Sequence, residues 1–311
     1  MEQRRLILII ALGFVLILLW QAWLEDNQQP ATAGPAAQAT EAGVEQPPAD
    51  RPAAGGPSVN SDKADVPAVG GGDPTAASAS TDLVQIETDV LSLAIDPKGG
   101  VIRQADLLEY PVSLDQKDEP VRLLQDRSGF TYIAQSGLIG AKNAPAPDHH
   151  TPFQVEKPAY RLDDGQEVLE VPMTWEQDGI RVTKTYLFKR GSYAIDVRYT
   201  VENTTQAEWR GQQYRQLTRS PSSQGMQLMY TYTGGVYAGT PAGGGDRINY
   251  EKIDLDEMGK IQLQQDLQNG WAAIIQHYFL SAWVPANADQ VNQYYTLQSR
   301  NDGFTVYSLG L

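Results

Sequence analysis

Histidines are the first residues to consider, because an imidazole can bind a metal or transfer a proton near neutral pH. His149 and His150 are adjacent in a segment whose alanines and prolines, APAPD at 144–148, indicate a loop. Adjacent side chains point in different directions, and no third ligand follows at a suitable spacing, so we predict no metal site here. His277 lies in an apolar stretch, where a packed imidazole is favoured over a general base.

Paired carboxylates and glycine runs are the other candidate groups. The pairs Asp163-Asp164 and Asp256-Glu257 fall in polar turns, where hydration accounts for them. The glycine run at 70–72 lacks the Lys-Ser/Thr of a phosphate loop, and the run at 243–245 is interpreted as a loop. The sequence has no cysteine, no nucleophile elbow and no spaced set of metal ligands. We therefore predict no catalytic residue, no cofactor and no metal.

Four tyrosines in a glycine-rich region are the remaining chemical lead. They are Tyr230, Tyr232, Tyr237 and Tyr250. Tyrosines on a sheet surface can line a carbohydrate cleft or a protein interface. We favour the interpretation that these tyrosines pack within strands and anchor loops over the interpretation that they line a carbohydrate cleft or a protein interface.

Short strands must position these residues. In 193–202 apolar and polar side chains alternate, and Ile180–Lys189 is rich in β-branched and aromatic residues. The turn at 190–192 between them predicts an antiparallel hairpin. Further strands are predicted at 90–96, 101–107, 130–135, 167–175, 226–232, 294–298 and 304–309. With no long helical period after residue 82, this pattern predicts one all-β domain, an antiparallel sandwich.

The most apolar stretch within the domain is 271–285, which reads WAAIIQHYFLSAWVP. It is too short and too polar at its centre to span a membrane. We predict a central strand covered on both faces and ended by Pro285, with a buried helix as the alternative.

The longest apolar run covers residues 6–24, from Leu6 to Leu24, and thirteen of these nineteen residues are Leu, Ile, Val or Phe. A helix of this length measures about 28 Å, close to the ~30 Å hydrocarbon thickness of a bilayer. Two arginines precede the run, which places residues 1–5 in the cytoplasm and the rest of the chain outside. We predict a retained membrane anchor, in preference to a signal peptide cleaved near Ala33 or a buried core helix.

Residues 25–81 are predicted to form a disordered linker. This segment has no aromatic residue and, apart from alanine, only four aliphatic side chains. It cannot bury enough apolar surface to offset the entropy of ordering it, and as a flexible chain it spans about 40 Å. The net charge of the whole chain is −14, which disfavours nucleic acid and an anionic membrane surface as partners.

The order of these features resembles the N-terminal part of the YidC family of bacterial inner-membrane protein insertases. Near the N-terminus the resemblance rests on an arginine-containing head, an apolar helix ending in WQAW at 20–23, and a linker rich in Gln, Pro and Ala. Within the domain it rests on the segments 86–91 through Gly99-Gly100, 135–138, 171–174, 184–186, 189–191 and 270–285.

The resemblance implies an all-β fold, an antiparallel β-supersandwich similar to galactose mutarotase, held in the periplasm of an inner-membrane insertase. It implies assistance to nascent inner-membrane proteins, with or without the Sec translocon, and a contact with SecDF over 213–267, from Gln213 to Leu267. The helical core spans of the family and their groove have no counterpart in this sequence. We therefore expect residues 82–311 to be a C-terminally incomplete periplasmic domain without catalysis.

The alternative from another functional class is a membrane-tethered domain that binds or modifies carbohydrate. It predicts saturable sugar binding near His277 or the tyrosines. A shared fold does not carry a function with it, and an epimerase needs a general acid and a general base facing each other. The non-enzymatic module is therefore favoured.

Overall fold

The computed structural model describes residues 83–221, 232–244, 247–276, 278–301 and 304–311. These residues form strands and one short 3-10 helix, Ala141–Asn143, and contain no α-helix. The strands are β1 (Val84–Glu87), β2 (Leu91–Asp96), β3 (Val101–Ser113), β4 (Gln116–Arg127), β5 (Phe130–Gly140), β6 (Gln154–Val155), β7 (Ala159–Arg161), β8 (Val168–Gln177), β9 (Ile180–Lys189), β10 (Ile195–Asn203), β11 (Gly211–Arg219), β12 (Thr233–Pro241), β13 (Asn249–Asp254), β14 (Gln264–Gln276), β15 (Phe279–Trp283), β16 (Asn292–Asn301) and β17 (Phe304–Gly310).

The described strands form two sheets. The larger sheet has the order β13-β12-β14-β16-β17-β11-β5-β4-β3-β2-β1-β7, with β15 added to β14, and the smaller has the order β10-β9-β8-β6. All the pairings are antiparallel except that of β1 with β7. The main hydrophobic core contains side chains from both sheets, for example Leu93 and Tyr132 from the larger and Met173 and Phe188 from the smaller. The predicted all-β sandwich is therefore confirmed.

The predicted hairpin between 180 and 202 is confirmed. Strand β9 has the predicted bounds, and it pairs with β10 without a register shift from Ile180↔Asn203 to Phe188↔Ile195. Gly191 in the turn has a φ of +67°, a conformation that glycine adopts without steric cost. Alternating exposure along β10 matches its alternating sequence.

Most described residues of the other predicted strands lie within observed strands, whereas Val90, Glu167 and Tyr232 lie just outside them. Strands β2, β3, β5, β8, β16 and β17 contain most or all of the residues predicted for them, and several are longer than predicted. Residues 226–231 of one predicted strand lie outside the described residues. The sequence pattern missed β1, β4, β6, β7, β11, β12 and β13.

The prediction of a single strand over 271–285 is wrong, and so is the helical alternative. The stretch instead contributes the end of β14 and the whole of β15, which pair antiparallel from Ala272↔Trp283 to Gln276↔Phe279. The chain reverses between Gln276 and Phe279, which pair with each other, and Tyr278 is exposed there. Without glycine or proline at this reversal, the apolar run on both sides concealed the turn.

Among the described residues, none belongs to a helix with the length and apolar character that a membrane crossing requires. The predicted anchor at 6–24 and the predicted linker at 25–81 lie outside the described residues.

Candidate functional site

A buried lysine joins the two sheets. Lys184 lies in β9 of the smaller sheet, and its side chain is fully buried. Its Nζ atom donates hydrogen bonds to the carbonyl oxygens of Gly99 at 2.8 Å, Gly100 at 2.9 Å and Ser136 at 3.3 Å. These acceptors belong to the β2–β3 turn and to β5 of the larger sheet. A single side chain is therefore hydrogen-bonded across the core.

The alternation of β9 places this lysine inside. Every second residue of the strand is buried, and these inward residues are Ile180, Val182, Lys184, Tyr186 and Phe188. In a strand whose side chains alternate between the two faces, Lys184 falls on the same face as the apolar residues. This position in the sequence would have predicted a buried amine. The sequence reasoning read this strand only as half of a hairpin and missed the residue.

The surroundings of Lys184 make its charged form costly. No carboxylate among the described residues lies within ion-pair distance of Nζ. Desolvation lowers the pKa of the amine to about 7, although three carbonyl acceptors match the three hydrogens of an ammonium. The rings of Tyr186 and Tyr199 lie 5.2 and 5.6 Å from Nζ and add cation–π attraction. The hydroxyl of Tyr186 also donates to the Gly100 carbonyl oxygen.

A buried arginine lies near this amine. The hydroxyl groups of Tyr199 and Ser136 are 3.0 Å apart, and the charge of Arg215 acts on Tyr199. Burial raises the pKa of Tyr199 and lowers that of Arg215. Among the described residues, Arg215 Nε and the Tyr294 hydroxyl oxygen are buried without a hydrogen-bond partner.

The histidine pair borders the same region. His149 is buried, and its backbone N–H donates to the Tyr214 hydroxyl oxygen at 3.0 Å. The His149 Nδ1 atom is 2.5 Å from that hydroxyl, and the His150 ring centroid is 4.1 Å from that of His149. The His149 backbone also lies directly against Gly99, where an added Cβ would be 2.1 Å from the carbonyl oxygen. Among the described residues no three His, Asp or Glu side chains are grouped as a metal site would require.

We call this arrangement the buried polar centre. Its residues are Gly99, Gly100, Ser136, His149, Lys184, Tyr186, Tyr199, Tyr214 and Arg215. Segments by which the sequence resembles the YidC family meet here, namely Gly99-Gly100, 135–138, 171–174 and 184–186. The segment 171–174 lies beside the buried polar centre because Met173 of β8 pairs with Lys184 of β9. The arrangement can hold two sheets in register, and the Lys184 amine is directed at protein carbonyls.

The other residues singled out from the sequence are dispersed. Asp163-Asp164 and Asp256-Glu257 are exposed in or beside turns. Tyr237 is buried in a second hydrophobic cluster, while the Tyr232 hydroxyl donates to backbone carbonyl oxygens of Gly235 and Ile253. Tyr250 is exposed beside Trp271. His277 and Tyr230 lie outside the described residues.

The three described tyrosines, Tyr232, Tyr237 and Tyr250, do not line one cleft. A side chain buried in the core, as Tyr237 is, cannot contact a soluble sugar. Packing within strands and anchoring of loops therefore describes Tyr232 and Tyr237 better than a carbohydrate site does.

The region at 213–267, predicted from the resemblance to contact SecDF, is exposed in part among its described residues. Its first part is the buried half of β11, and β12 is also buried. The exposed described residues include most of β13, an edge strand of the larger sheet, the turn that follows it, residues 242–244 and the start of β14. Three large apolar side chains are exposed in or beside β13, with exposed fractions of 60% for Ile248, 49% for Tyr250 and 46% for Ile261.

Comparison with known proteins identifies the family. A family model described as the YidC periplasmic domain matches residues 83–311. Proteins named membrane protein insertase YidC are similar over most of this chain. The one from Thioalkalivibrio sulfidiphilus is 40% identical over 307 residues, 95% of this chain and 52% of the relative. The one from Methylococcus capsulatus is 42% identical over 298 residues, 94% of this chain and 51% of the relative.

The chain spans about half the length of these curated relatives. The family model covers every described residue, and the predicted resemblance is confirmed. The chain belongs to the YidC family.

Proposed function

We propose that the chain is part of a membrane protein insertase of the bacterial inner membrane, and that its described domain is a non-catalytic periplasmic interaction module. The observation that carries the proposal is the match of residues 83–311 to the YidC periplasmic domain, together with relatives named as insertases. The whole protein would assist the insertion and folding of nascent inner-membrane proteins, with or without the Sec translocon.

The geometry of the buried polar centre supports a non-catalytic role for the domain. A catalytic amine or imidazole must reach a substrate atom within hydrogen-bond distance. Lys184 Nζ is instead buried and directed at three backbone carbonyl oxygens, and His149 is buried against Tyr214. These groups are placed to stabilise the packing of the two sheets.

The domain limits follow the sequence pattern. Residues 1–5 are proposed as a cytoplasmic head, 6–24 as a membrane-spanning helix that contacts the lipid bilayer, 25–81 as a disordered linker and 82–311 as the periplasmic domain. Arginines before the apolar run and acidic residues after it support this orientation.

We propose edge strand β13 as the part of 213–267 that contacts SecDF. An edge strand presents unpaired backbone groups, and partners often bind there by adding a strand. The exposed side chains of Ile248 and Tyr250 add apolar surface beside that edge. Large apolar side chains exposed next to one another are typical of interaction surfaces.

Site-specific photo-crosslinking tests this contact. A photoreactive amino acid at Ile248, introduced into the full chain in bacterial inner-membrane vesicles, should crosslink to SecD or SecF as detected by immunoblotting. The same amino acid at Val168, which is exposed on the smaller sheet, is the matched control. Equal crosslinking at both positions, or none at Ile248, would contradict the proposed contact.

A further inference from the structure

The outer face of β15 is apolar and exposed. Phe279 and Trp283 point inward, where both pack against the main core and the Trp283 Nε1–H donates to the Gln216 carbonyl oxygen. The alternate residues point outward, with exposed fractions of 84% for Tyr278, 53% for Leu280 and 64% for Val284. Ala282 between them is exposed as well.

One edge of β15 is not paired with any other strand that the structure describes. Among the described strands β15 pairs only with β14, through five residue pairs without a register shift. Edge strands are normally protected from pairing by charged side chains, bulges or proline within the strand. Strand β15 has none of these, because the sequence from 268 to 288 contains no Asp, Glu, Lys or Arg and Pro285 follows the strand.

Acidic residues lie on a hairpin that contacts this uncharged strand. The Tyr110 ring packs edge-on against Phe279 with a centroid distance of 5.7 Å, which places the outer part of the β3–β4 hairpin, residues 108–120, beside β15. Four carboxylates of this hairpin part are exposed, and Lys117 is its one basic residue. These carboxylates belong to Glu109, Asp115, Asp118 and Glu119. Asp289 is also exposed, in the segment that follows the strand.

We propose that the edge of β15 away from β14 binds an extended segment of a second polypeptide by strand addition. The bound segment carries apolar side chains at alternate positions, facing the same side as Leu280 and Val284, and basic residues at its ends, facing these carboxylates. Backbone hydrogen bonds provide affinity in this binding mode, and the side chains on alternate positions provide specificity. This surface lies on a different strand from the proposed SecDF contact, so either can fail alone.

Two other occupants fit less well. A lipid surface would leave the unpaired N–H and C=O groups of the edge without partners in hydrocarbon, which open sheet edges do not tolerate. A second copy of the chain would bring the same carboxylates together, and like charges placed close to each other oppose association. A peptide with basic ends can form hydrogen bonds with the backbone groups of the edge, and its basic residues can pair with the carboxylates.

Hydrogen exchange measures strand addition directly. The probe is a synthetic peptide of alternating valine and threonine between terminal lysines, added to the full 311-residue chain in lipid nanodiscs. We expect saturable binding and slowed exchange of backbone amides in Phe279–Trp283. A peptide with terminal glutamates should bind more weakly because of these carboxylates. Peptide binding without protection of these amides would overturn the proposal.

Charged substitutions on the outer face should block the site. We expect Leu280→Lys, and separately Val284→Lys, to weaken peptide binding by about tenfold or more, since each places a charge where an apolar side chain would pack. Val291→Lys changes an exposed apolar residue outside the strand and should leave binding unchanged. Unfolding midpoints in urea establish that the variants are folded. A dimer of the unliganded chain that Leu280→Lys dissociates would overturn the proposal in favour of a second copy.

Discussion

The Nζ atom of Lys184 lies 2.8 Å from the carbonyl oxygen of Gly99, across the core between two sheets. Gly99 belongs to the turn between β2 and β3 of the larger sheet, and Lys184 lies in the middle of β9 of the smaller sheet. The contact couples the protonation of one amine to the packing of the sandwich. It also requires a turn backbone that approaches its neighbours very closely.

The buried amine should make stability depend on pH. Burial lowers the pKa of Lys184 to about 7, whereas a lysine in an unfolded chain has a pKa of about 10.4. Between these values the unfolded state binds a proton that the folded state lacks, so the free energy of unfolding rises with pH. The rise is at most about 1.4 kcal/mol per pH unit for one proton. We expect Lys184→Met to abolish this rise between pH 7 and 9, as measured by urea denaturation.

Neighbouring groups limit the pH window and provide the control. Burial raises the pKa values of Tyr186 and Tyr199, so their ionisation disfavours the folded state only above that window, and Arg215 keeps its charge throughout. Lys189 is an exposed lysine in the same strand, and Lys189→Met should keep the pH dependence of the wild type. The same slope in Lys184→Met as in the wild type would show that the amine does not titrate in this range.

Gly99 should tolerate no side chain. Its φ is +77°, and an added Cβ would be 2.1 Å from the His149 carbonyl oxygen, a backbone atom that cannot rotate away as the end of a side chain can. Gly129 has nearly the same φ, +78°, but open space around it. We expect Gly129→Ala to cost about 1–2 kcal/mol from backbone strain alone, and Gly99→Ala about 3 kcal/mol or more. Urea denaturation of both variants measures the difference, and equal losses would show that the close approach relaxes without cost.

The sequence predicted the elements whose side chains alternate between apolar and polar. The hairpin of β9 and β10 was located to within a residue or two because its inward positions are mostly Ile, Val and aromatic residues with a glycine turn between the strands. Strand β11 was missed because it carries polar residues in the interior. Gln216 and Thr218 are buried there, and both donate to the Gln135 side-chain oxygen on the neighbouring strand. Polar residues can be buried when a partner on another strand satisfies them, and this partner is distant in sequence.

The buried polar centre could be predicted only in part for the same reason. The histidine pair was correctly placed in a loop, but nothing local indicates that this loop folds back against the Gly99 turn. The inward position of Lys184 was readable from the period of its strand, whereas its three acceptors come from the β2–β3 turn and from β5, which are distant in sequence. Long-range pairing of this kind is decided by the assembly of the sheets rather than by local propensity.

The hydrogen bond between Tyr214 and His149 should contribute measurably to stability. The Tyr214 oxygen accepts from the His149 backbone N–H, so its own proton is available for the His149 Nδ1 atom at 2.5 Å. Burial raises the pKa of Tyr214, which keeps the phenol protonated. We expect Tyr214→Phe to cost about 1–3 kcal/mol in the free energy of unfolding, because the buried N–H and Nδ1 both lose this partner. Tyr250→Phe, at an exposed tyrosine, should change it by less than about 0.5 kcal/mol.

The same geometry predicts a single imidazole tautomer. With Nδ1 accepting from the phenol, the ring proton of neutral His149 is on Nε2. Nitrogen-15 NMR of a histidine-labelled chain should show an unprotonated Nδ1 in the wild type and a mixture of tautomers in Tyr214→Phe. A protonated Nδ1 in the wild type would reverse the direction of the hydrogen bond, since the Tyr214 oxygen would then accept from both the ring and the backbone. In that case the loss in Tyr214→Phe would come from two donors on His149 that lose the Tyr214 oxygen as acceptor, and no phenol proton would be involved.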